Sequence, residues 1–411
     1  MYTDYRVSDK NVKDYQKYER TVKTIQKRFK TYGYERIKTS TFEQYDLYSK
    51  VTSSINQKEM LKLIDRSGDV LVLRPDVTIP ITKELADNLT KLPNELRYYY
   101  VQDVFRQTPL DEEGIESTQA GVEYFCESSA RADAEVIALA CHTLKDLGFD
   151  DVKIEVGHAG FFKELIQLIS LKNRDIDRLK TLIQAKNIVE IEEFLRDIGI
   201  EEEIREAIAK LPFLYGDPTQ VSERARGIVQ TSKMDETLNY LTEVYEILKL
   251  YGLENNIVMD LGLINHMGYY SDIIFQGFVG KFGKPVLMGG RYNELGNEFG
   301  AELPAIGFAC EVESLIKAAN GDAVSKRVPI DIKIQYEKAY LAEAIGVANE
   351  LRERNYTVLS YPIAEEQLNV QTSIYQIKVA NEKTFNYRDE STPFSSIQEL
   401  LKLMIGSKGV R

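Results

Sequence analysis

The sequence predicts an α+β protein: a largely antiparallel sheet flanked by helices and interrupted by a helical insertion, then a small C-terminal α/β domain. Three observations carry this. Strand-like stretches gather before and after a helical block and do not keep the alternating rhythm of a doubly wound sheet. The block itself, from Phe161 to Tyr251, is nearly all helical in pattern. Beyond Lys326-Arg327-Val328-Pro329, which reads as a linker, strand, helix and strand follow as in one βαβ unit. The predicted boundaries are 1–325, with the insertion at about 161–252, and 328–411.

In chain order, Tyr15, Tyr18, Val22, Ile25, Phe29 and Tyr32 recur at steps of three and four, a helix from Lys13 to Tyr32 that Gly33 can close. A strand-like stretch runs from Tyr34 to Thr41. Val70 to Leu73 reads as a short buried strand ended by Pro75. Leu96–Val104, rich in tyrosine, and Gln119–Phe125 read as neighbouring strands, and Gln107–Ser117 between them as a loop with Pro109 and Gly114. Asp133–Leu147 is periodic as a helix, and Val152, Ile154 and Val156 alternate as a strand. After the block, strands are predicted at Ile257–Asp260, Tyr269–Val279 and Val286–Tyr292, and the small, apolar Ala305–Ala309 leads into a helix at Glu311–Ala319. The C-terminal domain reads as strand Ile332–Gln335, helix Ala339–Arg354, strand Thr357–Tyr361 and a last helix at Ile397–Met404.

The 411 residues are 43% hydrophobic and 28% charged, ordinary for a globular protein and not for a disordered one. No apolar run reaches 18 residues, so no membrane span is expected, and the polar Met1–Lys13 argues against a secretory signal. Cys126, Cys141 and Cys310 are scattered, as suits a reduced cytoplasmic setting. His142, His158 and His266 lie at no metal-ligand spacing, so no metal is expected. The net charge of −12 argues against nucleic acid as a partner.

Six stretches, in order, resemble the class II aminoacyl-tRNA synthetase core, specifically that of histidyl-tRNA synthetase. Leu73-Arg74-Pro75-Asp76-Val77-Thr78 is similar to that family's Leu-Arg-Pro-Glu-Gly-Thr segment. Val104-Phe105-Arg106 resembles the opening of motif 2, and Gln119-Ala120-Gly121-Val122-Glu123 its close. Gly268-Tyr269-Tyr270 stands where the family has Leu-Asp-Tyr-Tyr, and Gly289-Gly290-Arg291-Tyr292-Asn293 resembles Gly-Gly-Arg-Tyr-Asp. Ala305-Ile306-Gly307-Phe308-Ala309 begins something like motif 3.

The departures point to function. Adenylation needs arginines, whose fork suits phosphate. The motif 2 loop here holds no basic residue and four acids. Motif 3 ends Glu313-Ser314-Leu315 in place of Glu-Arg-Leu, and Asn265 stands where the resemblance implies a catalytic arginine. One transition-state arginine is worth roughly 10³–10⁵ in rate in phosphoryl chemistry. The nucleotide half of the pocket is therefore expected to be dead and no residue to be catalytic.

The amino-acid half is retained. The resemblance implies a histidine-like pocket of Asp76, Thr78, Arg106, Gln119, Glu123, Tyr269 and Tyr270. An ammonium suits Glu123 or Asp76, a carboxylate suits Arg106, and an imidazole fits between tyrosine rings. A synthetase-like chain with this pocket and without the phosphate arginines resembles the regulatory subunits of ATP phosphoribosyltransferase. That resemblance implies a short-form catalytic subunit as partner, histidine as feedback effector, no cofactor, and synthetase-like homodimers within a hetero-octamer. It leaves open whether histidine binds the pocket or a subunit interface. The alternative is an active histidyl-tRNA synthetase.

Plainer readings stand beside these. Asp76 can pair with Arg74, and Arg106 can be a structural salt bridge. Tyr269 and Tyr270 would point to opposite faces of a strand, so that one contacts ligand and the other packs. His158 and His266 read mainly as structural, and Gly289-Gly290 as a close strand approach rather than a phosphate cradle.

Overall fold

The computed structural model describes residues 12–51, 56–88, 95–107, 115–169, 171–264, 269–319, 330–363, 373–387 and 390–408. The chain divides into two compact units, Met1–Val324 and Ser325–Arg411.

The first unit opens with helix α1 (Val12–Thr31), whose Ile25 and Phe29 are fully buried. Gly33 then takes a φ of 79°, a turn that favours glycine. There follow β1 (Glu35–Arg36), β2 (Phe42–Gln44), α2 (Tyr45–Lys50), β3 (Lys62–Ile64), β4 (Val70–Leu73), α3 (Thr78–Asp87), β5 (Leu96–Phe105), β6 (Glu116–Phe125), α4 (Ala130–Asp146) and β7 (Val152–His158). The insertion comprises α5 (Ala159–Gln167), α6 (Asn173–Gln184), α7 (Ile188–Asp197), α8 (Glu202–Lys210), the short β8 (Tyr215–Gly216), α9 (Pro218–Arg226) and α10 (Ser232–Leu250). The chain returns through β9 (Ile257–Asp260), β10 (Ile273–Val279), β11 (Leu287–Arg291), β12 (Ala305–Glu311) and α11 (Val312–Ala318).

Nine strands form one sheet in the order β1-β5-β6-β12-β11-β10-β7-β9-β8. Its middle, β5 through β7, is antiparallel, while β1 and β9 are added parallel. Helices α1, α4 and α11 cover one face around Val122, Tyr124 and Phe308. On the other, α3 and the three-stranded sheet β2-β4-β3 enclose a second core of Val72, Ile79, Tyr100, Tyr269 and Tyr292. Strand β6 is therefore buried on both faces from Thr118 to Phe125, as expected of a strand covered on both sides.

The strand expected at Tyr34–Thr41 shrinks to two paired residues. Side chains take over its backbone groups: Gln102 Oε1 accepts from the Thr39 N–H, and Arg74 donates to the Thr39 and Ser40 carbonyls. The strand expected from Tyr269 begins only at Ile273. Helix α3 gave no sequence signal because Pro80 obscures it, yet a proline in the first turn needs no helical partner for its missing N–H.

The second unit is β13 (Ile330–Tyr336), α12 (Leu341–Glu353), β14 (Val358–Pro362), β15 (Ser373–Val379), β16 (Lys383–Tyr387), β17 (Glu390–Pro393) and α13 (Ile397–Lys408). Its sheet runs β14-β13-β15-β16-β17, with β14 and β15 parallel to β13. The last three strands escaped the sequence reading: polar residues alternate through β15, and β17 is four residues long.

Candidate functional site

The site is a trough in the face of the large sheet that α3 covers, built by cross-strand register. Glu123 on β6 pairs with Gly307 on β12, which pairs with Gly290 on β11. The adjacent row runs Tyr100, Gly121, Ala309, Met288. Small residues at the centre hollow the floor. A Cβ on Gly307 would stand 2.0 Å from Glu123 Oε2, one on Gly121 2.5 Å from the Tyr100 hydroxyl, and one on Gly290 2.8 Å from the Tyr270 ring. Gly289 approaches the Gly307 carbonyl and the Phe275 ring equally closely, so this glycine pair serves strand packing.

The cavity measures about 240 Å³, below the roughly 300–1,000 Å³ of sites for drug-sized ligands. Asp76, Thr78, Arg106, Gln119, Glu123, Tyr269 and Tyr270 all line it. Tyr100 and Tyr292 join them, two rings the sequence did not assign to the site. Tyr98-Tyr99-Tyr100 gave a hint, but only the strand alternation decides that Tyr100 faces the cavity while Tyr99 packs on Phe29.

Glu123 is the chemical centre. Its Oε1 accepts from the Thr78 hydroxyl at 2.5 Å and its Oε2 from the Tyr292 hydroxyl, and no salt bridge to it occurs among the described residues. Burial, helped by neighbouring Asp76, pushes its carboxyl up to about 8 against the pull of the two hydroxyls. A carboxyl so placed takes a cation as its natural complement.

Asp76 does not pair with Arg74. Arg74 spends its donors on the carbonyls of Asp103, Thr39 and Ser40. Asp76 Oδ1 accepts the Ile79 N–H at 2.8 Å at the start of α3, leaving Oδ2 3.8 Å from Arg106 Nη2. Burial raises its carboxyl, opposed chiefly by Arg106. Arg106 Nε donates to the Pro75 carbonyl at 2.6 Å, while its buried Nη2 makes no hydrogen bond among the described residues. Such an orphaned donor is costly unless something fills the cavity.

The two tyrosines do not lie in a strand, so the expectation that they face opposite ways fails. Both precede β10 and both line the cavity, with ring centroids 4.8 Å apart and planes tilted by 55°. The turn that permits this is held by the Ser271 N–H donating to the Arg291 carbonyl at 2.9 Å.

Among the described lining residues the cations are Arg106 and Lys284, against the carboxyls of Asp76, Glu123 and Glu311. Ser314, at the motif 3 arginine position, is buried with its hydroxyl on Glu311 Oε2 at 3.3 Å. His158 caps α5: its Nδ1 accepts the Gly160 N–H at 3.0 Å, and burial lowers the ring to about 4, so it is neutral. His142 shares a 2.7 Å hydrogen bond with Tyr32. Asn265, His266 and most of the acidic motif 2 loop lie outside the described residues.

Residues 6–315 match the histidyl-tRNA synthetase family. A relative from Oceanobacillus iheyensis, named ATP phosphoribosyltransferase regulatory subunit, is 41% identical over 95% of both chains. The chain belongs to the ATP phosphoribosyltransferase regulatory subunit family. The family name is that of a regulatory subunit, not of a catalytic chain. A crystal structure from Bacillus halodurans, titled as an ATP phosphoribosyltransferase regulatory subunit/histidyl-tRNA synthetase, is 29% identical with a TM-score of 0.79, covering 93% of this chain and 98% of that one. Histidyl-tRNA synthetase from Nostoc sp. PCC 7120 superposes with a TM-score of 0.80 at 15% identity, covering 99% of this chain and 100% of that one, which establishes the class II synthetase fold of this regulatory-subunit relative.

Proposed function

We propose that this chain is a non-catalytic regulatory subunit that activates a short-form ATP phosphoribosyltransferase catalytic subunit and confers feedback inhibition by histidine in the first step of histidine biosynthesis. The observation that carries the reading is the pairing of a cation-seeking Glu123 with an orphaned Arg106 Nη2 inside a cavity of about 240 Å³. An amino acid supplies both complements, an ammonium and a carboxylate, and an imidazole finds tyrosine faces and hydroxyls around it. The sparse cations support recognition of a metabolite rather than grip of a triphosphate. The assembly is a cytoplasmic hetero-octamer built on synthetase-like homodimers, with no nucleic acid, membrane or cofactor involved.

Co-purification with a short-form catalytic chain, followed by assay of phosphoribosyl-ATP formation with and without histidine, tests this. A stable complex, stimulation by this chain and inhibition by histidine are expected. Histidine-dependent ATP–pyrophosphate exchange by the isolated chain would favour an active histidyl-tRNA synthetase instead.

The trough itself is tested by Gly307→Ala. The new methyl cannot coexist with Glu123 Oε2 at 2.0 Å or the Val122 carbonyl at 2.5 Å. Calorimetry is expected to show histidine affinity reduced about tenfold or more, and denaturant unfolding a loss of about 1–3 kcal/mol.

A further inference from the structure

We infer that the helical insertion reports whether the cavity is filled, through a buried strut that runs from Tyr240 on α10 to the chain segment carrying Tyr292. The inference rests on the reading of the cavity as a histidine site and adds the element through which occupancy is read.

Tyr292 and Arg291 are consecutive and serve opposite sides of the sheet. Tyr292 donates its hydroxyl to Glu123 in the cavity. Arg291 turns to the helical side, where its Nε lies 2.9 Å from Asp133 Oδ1 on α4 and its Nη1 donates to the Glu127 carbonyl and to Asn293 Oδ1. Asp133 is fully buried and Arg291 is 2% exposed. The Tyr240 hydroxyl donates to the other oxygen, Asp133 Oδ2, at 2.6 Å.

A second tie reaches the start of the insertion. The Asp272 carbonyl accepts the Ala159 N–H at 2.8 Å, where α5 begins, and Asp272 stands two residues beyond Tyr270. Ser271, between them, is bonded to the Arg291 carbonyl, and the Asn293 amide donates to Asp272 Oδ2 at 3.1 Å. The segments that carry Tyr270 and Tyr292 and the first and last helices of the insertion thus share one polar network.

A ligand cation at Glu123 competes for the oxygen that Tyr292 now holds. Tyr292 cannot shift alone, because Arg291 is locked to a charge that is costly to leave unpaired, and close-packed interiors pass on strain. Tyr240 is therefore a positioning residue: its hydroxyl ties α10 to that charge. The bonds run without a break from the cavity to α10, and an exchange experiment measures the coupling directly.

Hydrogen–deuterium exchange of the full chain, with and without saturating histidine, is the test, alongside calorimetric titration. In the wild type, histidine is expected to slow exchange in α10 and at the start of α5 by about threefold or more, and to leave α6 to α8 unchanged. In Tyr240→Phe, which keeps the ring, histidine binds within about tenfold of wild type, but the α10 response is lost. A purely structural Tyr240 would raise α10 exchange equally with and without ligand and keep the difference between them, which overturns the inference. Histidine binding in the wild type with no α10 response overturns it alone, even where the variant fails to fold. Absence of histidine binding to wild type overturns the site reading and this inference together.

Discussion

Glu123→Gln is expected to weaken histidine binding by about 100-fold or more. The substitution keeps the shape and one acceptor oxygen for the two donating hydroxyls but removes the charge that a ligand ammonium neutralises in a buried setting, where such a pair is worth about 2–5 kcal/mol. Calorimetry on the isolated chain reads it, and a loss below about fivefold would remove Glu123 from the centre of the site.

The same carboxyl makes binding pH-dependent. With its free-cavity value near 8, Glu123 is mostly protonated at pH 7, and an ammonium drives that proton off. Affinity therefore rises with pH until about 8 and then levels. At pH 7, nearly one proton per site is released, seen as a dependence of the binding heat on the buffer's ionisation enthalpy. Buffer-independent heats would overturn the placement of an ammonium against Glu123. The stability of the free protein runs the other way. Because the folded value is raised, this group's contribution is complete below the ordinary carboxylate value and is lost as pH rises from about 4.5 towards 8. Glu123→Gln is thus expected to stabilise the unliganded chain at pH 8, with each pKa unit worth about 1.4 kcal/mol.

Arg291→Ala is expected to cost about 3–5 kcal/mol of unfolding free energy, because it strands Asp133 in the interior without a counter-charge. Burial already raises the Asp133 carboxyl and Arg291 opposes it. Without the guanidinium, Asp133 takes up a proton more readily, so the variant is hurt less at pH 5 than at pH 8. Denaturant unfolding at both pH values measures this. Arg291→Met combined with Asp133→Leu should recover most of the loss, since an apolar replacement removes both charges. A single-variant cost under about 1 kcal/mol would show the pair to be dispensable.

Local pattern was enough to place α1, α4, β5 and β6, because each buries an apolar face whose spacing is written locally. It failed where side chains replace ladder partners, as at Thr39 with Gln102 and Arg74, and where short polar strands gain stability from neighbours, as at β16 and β17. The family resemblance named seven residues that line one cavity. It could not name Tyr292 and Tyr100 as their companions, since which of several tyrosines faces a trough depends on register across strands far apart in the chain.

The amino-acid sequence by itself determined the residue types: carboxyls, a guanidinium and several phenols within motifs that resemble a synthetase core, with the arginines that the resemblance implies replaced. Only the tertiary structure decided how they act. It set Glu123 opposite Gly307, bound Asp76 to a helix start rather than to Arg74, and left one nitrogen of Arg106 without a hydrogen bond among the described residues. The reason is physical: composition fixes which ionisable groups are available, but their charge state and the cost of holding it depend on burial and on partners brought from other strands.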